Sequence, residues 1–457
     1  MKFSKRVITM LLAVGSVAPL LGEERPNVLI IVADDLGYAD LGFQGCKDIP
    51  TPHLDKLATQ SVRCTNGYVS HPFCSPTRAG LLTGRYQQRF GHENNPAWLP
   101  EDTIAGLPVD QITLPELMKQ AGYDTGAVGK WHLGAHPQFH PNKRGFDYYF
   151  GMLGGGHMYF PDSKGGAEYT IPLNRNGADI PHTRYLTDEI GDDAAAFISR
   201  ETGKSWMLYV AFNAPHTPLQ GPQEWIDKLS SIPNEQRRIY AAMVASMDAA
   251  VGRILAQLDA SQQTENTLVF FVSDNGGPNL AAKSGTCFTD NSPLRGYKGD
   301  VYEGGMRVPF LVRWPAVLKP GVYEQPVIAL DFLPTAVALA GGKLPTDRVI
   351  DGVNLIPYLT GEKTGAPHDR LFWRSGGSKG NHAIREGDWK LVKLGNQAPQ
   401  LYNLAADVGE AHDLATENPE KVTALSSAIA EWEKGTIEPI FQSPKQGNPK
   451  KKAKAKP

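Results

Sequence analysis

Asn27-Val-Leu-Ile-Ile-Val-Ala33 is an unbroken aliphatic run, mostly β-branched, that stops at Asp34-Asp35. A run without polar alternation suits a parallel strand buried on both faces. Thr267-Leu-Val-Phe-Phe-Val272 is a second such run, ending at Ser273-Asp274-Asn275-Gly276-Gly277. A third, Trp206 to Phe212, ends before Asn213-Ala-Pro-His216, and a fourth, Pro309 to Trp314, ends at Pro315. Between them, residues 237–258 place Tyr240, Met243, Val244, Met247, Val251, Ile254, Leu255 and Leu258 on one helical stripe. Residues 54–58 and 113–121 read as shorter helices. Strands alternating with helices predict an α/β fold: a large, mostly parallel central sheet flanked by helices. In such sheets ligands gather outside the carboxyl ends of the strands, and the polar clusters here fall at those ends.

From about Gly361 the pattern changes. Short runs at 371–373, 382–384, 389–392 and 400–402 are separated by Gly- and Asp-rich turns. They predict a small antiparallel sheet, followed by a helix over residues 419–434. The expected organisation is a main domain over residues 23–360 and a C-terminal α+β subdomain over 361–444. Residues 1–22 have a basic start (Lys2, Lys5, Arg6) and then a short apolar run, the shape of a secretory signal peptide. This predicts export to the periplasm or the medium. No later segment reads as a transmembrane span, and residues 445–457 read as a Lys-rich disordered tail.

Charge narrows the functions further. Of 46 basic residues, three lie in residues 1–22 and six in 445–457, stretches that hold no acid. The remaining body carries 37 basic residues against 48 acidic, a net of −11. A nucleic-acid binder needs a basic face, so that class is excluded. The cysteines are Cys46, Cys64, Cys74 and Cys287, too few for cross-links to hold a chain of this length together.

Two constellations carry chemistry. Asp34, Asp35, Asp274 and Asn275 are all oxygen donors at strand ends, and adjacent carboxylates repel unless a positive charge lies between them. Oxygen-only ligation suits Ca²⁺, with Mg²⁺ as the alternative. The second constellation is Cys74-Ser-Pro76-Thr-Arg78, followed by Leu81-Leu-Thr-Gly84. A Cys at a helix N-terminus, with an Arg one turn on, predicts a thiol of lowered pKa. The bland alternative is an inert buried Cys.

Cys74-x-Pro76-x-Arg78 with its Leu-Leu-Thr-Gly extension resembles the signature of type I sulfatases, members of the alkaline-phosphatase-like superfamily. Gly122 to Leu133, which includes Lys130-Trp-His132, is similar to that family's second signature. Ala214-Pro-His216, Ser273 to Gly277, Tyr297-Lys298 to Gly305 and Leu401-Tyr-Asn-Leu404 resemble further family blocks, in the family's order. The resemblance covers essentially the whole chain after residue 22. Phe73 departs from it, since a smaller or aliphatic residue is more usual before the Cys.

The resemblance implies hydrolysis of sulfate esters, with Cys74 oxidised to formylglycine by a separate maturation enzyme. It implies that Asp34, Asp35, Asp274 and Asn275, with residue 74, hold the metal, Ca²⁺ above all. The hydrate of residue 74 would attack sulfur and form a covalent sulfo-enzyme. Arg78 would hold that hydrate. Lys130 and Lys298 would stabilise sulfate charge, His216 would protonate the leaving oxygen, and His132 would deprotonate the second hydroxyl to expel sulfate. Gly151-Met-Leu-Gly-Gly-Gly-His157 is closer to the arylsulfatase and N-acetylgalactosamine-sulfatase branch than to sulfamidases, so the implied substrate is a sulfated glycan of galactose or N-acetylgalactosamine type. Arg89, His92, Glu93, Trp98, His157, Tyr159 and His182 lie in long connections and are candidates for sugar recognition. The competing readings are a phosphomonoester or phosphonate hydrolase of the same superfamily, and a glycan-binding relative with an unmodified Cys74.

Overall fold

The computed structural model describes residues 25–279 and 287–443. The expected signal peptide and Lys-rich tail lie outside the described residues. A ten-stranded sheet has the order β11 (Gly321–Tyr323), β2 (Val62–Cys64), β10 (Phe310–Arg313), β9 (Thr267–Ser273), β1 (Asn27–Ala33), β8 (Trp206–Ala211), β4 (Asp124–Lys130), β5 (Tyr148–Met152), β6 (Leu173–Arg175) and β7 (Ala178–Ile180). The five central strands, β9-β1-β8-β4-β5, are mutually parallel. The fourth sequence run, β10, pairs antiparallel with β9, so the parallel order ends there. A short parallel pair, β3 (Gly67–Tyr68) with β12 (Val327–Ile328), lies outside the main sheet.

Strand β1 is buried along its whole length. Val28, Ile30 and Val32 enter one core, while Leu29, Ile31 and Ala33 enter the other. The unbroken apolar run thus serves two faces at once. Helices α1 (Pro52–Thr59), α4 (Leu186–Ile198), α5 (Gln223–Lys228) and α6 (Glu235–Ala260) pack together on the second face. The first face is covered by α2 (Cys74–Thr83), α3 (Leu114–Gln120) and the helix Phe332–Leu339. Helix α6 is long and apolar enough to cross a membrane by length and composition, yet 67% of its apolar window is buried in the protein core.

Strand β4 escapes the sequence patterns, because Asp-Thr-Gly-Ala-Val-Gly-Lys has neither alternation nor a β-branched run. Its glycine is steric: at Gly129, φ is +104° and a Cβ would stand 2.0 Å from the Ala211 carbonyl oxygen. The C-terminal sheet β13 (Arg370–Ser375), β14 (Asn381–Glu386), β15 (Trp389–Leu394) and β16 (Gln400–Asn403) is antiparallel throughout. The helix Pro419–Glu433 packs on it through Leu425 and Ile429. All four cysteines are free.

Candidate active site

The carboxyl ends of β1, β9, β4 and β8 converge. Their backbones are tied together just past the strands: the Asp34 N–H donates to the Ala214 carbonyl at 3.0 Å, and the Asp274 N–H to the Ala33 carbonyl at 3.0 Å. Parallel strands in register therefore deliver Asp34 and Asp35, Asp274 and Asn275, Lys130 and His216 to one place, although they are distant in sequence. Helix α2 begins at Cys74, after an extended Phe73 whose side chain makes no cap. Cys74 Sγ lies 3.5 Å from Asp34 Oδ1, 4.0 Å from Asp35 Oδ1 and 3.1 Å from Lys298 Nζ.

Each carboxylate has a cation. Lys130 Nζ donates to Asp34 at 2.5 Å, and Lys298 Nζ to Asp35 at 2.6 Å. Arg78 donates to Asp274 Oδ2 through Nε at 3.0 Å and Nη2 at 2.7 Å, and to the Lys130 carbonyl at 3.1 Å. His216 Nε2 lies 3.7 Å from Asp35 Oδ2, and its Nδ1 is 2.6 Å from the Thr217 carbonyl. A carbonyl only accepts, so Nδ1 carries the proton and Nε2 faces the site. Asp35 and His132 are non-glycine residues in the left-handed region, at φ 64° and 57°. Such strain clusters at functional sites.

Burial sets the protonation states. It raises Asp35, but Lys298, His216 and Asn275 more than reverse this and hold its carboxyl well below the usual range. Asp274 is pushed up to about 6 by burial and by Asp34, against Arg78. Burial, then Lys130 and Arg78, keep His132 far below an ordinary histidine, so its ring is neutral. The expectation of an activated thiol is overturned. Burial pushes the Cys74 thiol up to about 12 although Lys130 and Lys298 pull the other way. Arg78, one turn on, spends its donors on Asp274 and a backbone carbonyl. An unmodified Cys74 is a poor nucleophile.

The site fits a metal ion. Ligand atoms of Asp34, Asp35, Cys74 and His216 all lie within 4.8 Å of one another. Asn275 is fully buried, and its Oδ1 accepts no hydrogen bond. A buried amide oxygen without a donor is rare and costly, and a cation would satisfy it. The carboxylates of Asp34 and Asp35 and the Asn275 amide are hard oxygen donors, as Ca²⁺ or Mg²⁺ requires, while the Cys74 sulfur and the His216 nitrogen are not; the cluster holds His216 where the sequence pointed to Asp274.

The sugar candidates divide. Arg89 forms a two-pronged ion pair with Asp351, and buried Glu93 pairs with Arg374 of β13. His92 bridges Ser75 Oγ at 2.7 Å and the Gly106 carbonyl at 3.0 Å. His157 is held between the Met158 and Ile171 carbonyls. The Tyr159 hydroxyl lies 2.7 Å from both the Asn213 and the His216 carbonyls, which anchors the His216 loop. The polar atoms of these five are committed inside the protein. Trp98 and His182 are only partly buried. Trp98 lines a cavity of about 800 Å³ together with Gly134 and Leu153, and the Leu153 carbonyl accepts the His132 N–H at 3.2 Å. His182 lines one of about 360 Å³ together with Tyr169, and its Nε2 has no partner.

Within residues 153–171, sequence reasoning named His157 and Tyr159 but missed Glu168 and Tyr169. Gly155 lies against the His132 ring, where a Cβ would approach Nε2 to 2.6 Å. Burial raises the pKa values of Glu168 and Tyr169, and the charge of Lys130 offsets part of that rise. No motif marks these two, and only the glycines hint at close packing. Phe73, the departure from the family pattern, has its ring against Gly299, beside Lys298.

Carboxylates and one lysine at parallel strand tips, with a second lysine from a loop, surround the first residue of a buried helix, a site built for hydrolysis of anionic esters. Sequence comparison narrows this. A family model described as sulfatase matches residues 26–342, and one described as N-sulphoglucosamine sulphohydrolase, C-terminal, matches 297–433. The chain is 30% identical to an uncharacterized sulfatase of Escherichia coli K12, over 92% of this chain and 87% of that one. It is 36% identical to the N-acetylgalactosamine-6-sulfatase of Canis lupus familiaris, over 74% of this chain and 66% of that one. The crystal structure of Ps i-CgsB superposes with a TM-score of 0.85 at 40% identity, covering 92% of this chain and 95% of that one. The chain belongs to the sulfatase family and is a sulfuric ester hydrolase.

Proposed function

We propose that this enzyme removes O-sulfate from a sulfated oligosaccharide of galactose or N-acetylgalactosamine type, with residue 74 as formylglycine and Ca²⁺ as the preferred ion. The observation that carries this reading is the placement of Cys74 against Asp34, Asp35 and Lys298, beside the open Oδ1 of Asn275. A divalent ion, when bound, supplies Lewis-acid polarisation at position 74. Formylglycine supplies a hydrated aldehyde, one hydroxyl to attack sulfur and a second to expel sulfate afterwards, which a serine lacks.

The protein's own residues do the rest. Three carboxylates (Asp34, Asp35, Asp274) balance three cations (Arg78, Lys130, Lys298), so a divalent ion leaves the site positive and ready for a sulfate ester. Lys130 and Lys298 steady charge on the sulfate oxygens. Arg78 fixes the orientation of Asp274. His216, held through Nδ1–H on Thr217 and neutral because burial lowers its pKa to about 3, turns a bare Nε2 to the site and takes up a proton there before passing it to the leaving oxygen. His132, kept neutral, accepts the proton of the second hydroxyl. Trp98 and His182, which line cavities, are the residues we assign to sugar contact. A relative solved with k-i-k-neocarrahexaose, 39% identical to this chain, supports an oligosaccharide substrate.

Cys74 is 1% exposed, so the maturation enzyme must act before α2 is enclosed. The body charge of −11 disfavours long polyanions, and chain ends or short oligosaccharides are the substrates it permits. Export through residues 1–22 is part of the same reading, and the mature chain would then begin near Glu23. The decisive experiment has two parts. Mass spectrometry of the native protein should show the Cys74 peptide lighter, by the exchange of a thiol for an aldehyde. Sulfate release at low salt should be faster from sulfated oligosaccharides than from the intact polymer. An unmodified Cys74 in an active enzyme, or faster attack on polymer, overturns the corresponding part.

A further inference from the structure

Lys298 is the one cation of the site carried by a loop rather than by a strand or by α2. Residues 295–307 have little regular structure apart from the four-residue helix Glu303–Met306. The loop closes on itself where the Gly304 N–H meets the Arg295 carbonyl at 2.7 Å. At its tip, the Lys298 and Gly299 N–H groups reach the carbonyls of Gly277 and Pro72 at 3.1 and 2.9 Å. Its base rests on the C-terminal sheet. Glu303 accepts from Lys390 of β15 at 2.8 Å and from the Tyr68 hydroxyl at 2.6 Å. Lys390 Nζ also stands 2.9 Å from Glu410 Oε1, and the other oxygen of Glu410 accepts the Glu303 N–H at 2.7 Å. Glu303, Lys390 and Glu410 are all fully buried. Around them, Arg295 donates to the Glu410 carbonyl at 2.7 Å and the Tyr402 hydroxyl at 3.1 Å, and Tyr302 to Gln400 at 2.6 Å.

We propose that Lys390, by bridging Glu303 and Glu410, sets the position of Lys298 against residue 74, which makes the C-terminal sheet a working part of the active site. Lys390 touches no reacting atom and is a positioning residue. Two acids buried together repel unless the ammonium stays between them. With Lys390 gone, the Glu303 carboxylate must turn or protonate, and the chain from Glu303 back to Lys298 is only five residues long. A displacement near 1 Å at a reacting group costs about 10²-fold in rate. The inference rests on the reading that Lys298 acts on the sulfate ester.

The test is a double-mutant cycle in the mature enzyme, on 4-nitrophenyl sulfate and a sulfated oligosaccharide. K390M is expected to lower kcat by about 10-fold or more while KM changes less than about twofold, because positioning of a charge that acts in the transition state is lost. K390R should restore most of the loss. In a K298A background, K390M should add almost nothing, since both changes remove the same interaction. Where K390M does not fold, Y302F and Q400A, which loosen the same base, replace it in the cycle. Full activity of K298A would sink the parent reading. Loss in K298A, together with K390M effects that are additive or that merely track melting temperature, would sink this inference alone.

Discussion

Two clusters of buried charge can be compared. At the tips of β1, β4 and β9, Asp34, Asp35 and Asp274 meet Arg78, Lys130 and Lys298. At the base of the Lys298 loop, Glu303 and Glu410 meet Lys390, with Arg307 3.3 Å from Glu303. Both are shielded from water and roughly neutral. They differ in what is left open. The first leaves Asn275 Oδ1 and His132 Nδ1 without partners and puts a thiol beside two carboxylates. The second spends its charges on one backbone N–H, a tyrosine hydroxyl and each other, and its one oxygen without a hydrogen bond, Glu410 Oε1, still has the Lys390 ammonium 2.9 Å away. A buried ion network with idle donors and acceptors awaits a ligand, whereas one whose atoms are engaged holds two pieces of chain together.

The largest effect should come from residue 74. C74A is expected to cut kcat by about 10³-fold or more, the scale seen when a nucleophile is removed, with little change in melting temperature. Retained sulfatase activity would show that the open cluster is not where chemistry happens. Chelation comes next. EDTA should abolish turnover, and calcium added back should stabilise the fold through linkage by about 2.7 kcal/mol at a hundredfold excess over Kd, read as a higher melting temperature. D35N should lose that response, and K390M should keep it. If both respond alike, the two clusters are not distinct.

Stability should rank the clusters the other way. K390M removes one partner of a buried network and should cost about 3–5 kcal/mol in urea unfolding, whereas C74A should cost far less. The smallest effect concerns a lone buried pair that serves as a reference, His368 Nε2 with Asp331 Oδ1 at 2.8 Å. Burial pulls the His368 pKa down, but Asp331 outweighs it and raises it above 6.5. The charged form is therefore favoured in the folded state. Its stability is full below pH 6.5 and is lost as pH rises through the higher folded value. H368Q should flatten that decline, by about 1–3 kcal/mol at most. An unchanged pH profile of stability would remove this pair as a contributor.

What was legible in the sequence was whatever a strand or helix carries at its end. Asp34, Asp35, Asp274 and Asn275 could be grouped because β1 and β9 announce themselves as doubly buried runs. Lys130 could not be placed that way, since β4 is built on glycines that let it approach β8. Arg89 and Glu93 read as sugar-binding loop residues, but their partners, Asp351 and Arg374, lie more than 250 residues away. The reactivity expected for Cys74 failed for a similar reason, because helix position is local while burial is not. Glu168 and Tyr169 carried no signal at all, as a loop wall has no period.

The amino-acid order alone determined the parallel core, the oxygen-rich strand tips and the Cys74 block, because burial on two faces, hard-ion ligation and signature spacing are written in short stretches of chain. Only the tertiary structure decided which charges are paired, which atoms stay open and that Lys298 is braced from the C-terminal sheet. Those properties depend on distances between residues that the backbone brings together from far apart, and on the low dielectric created when they are enclosed.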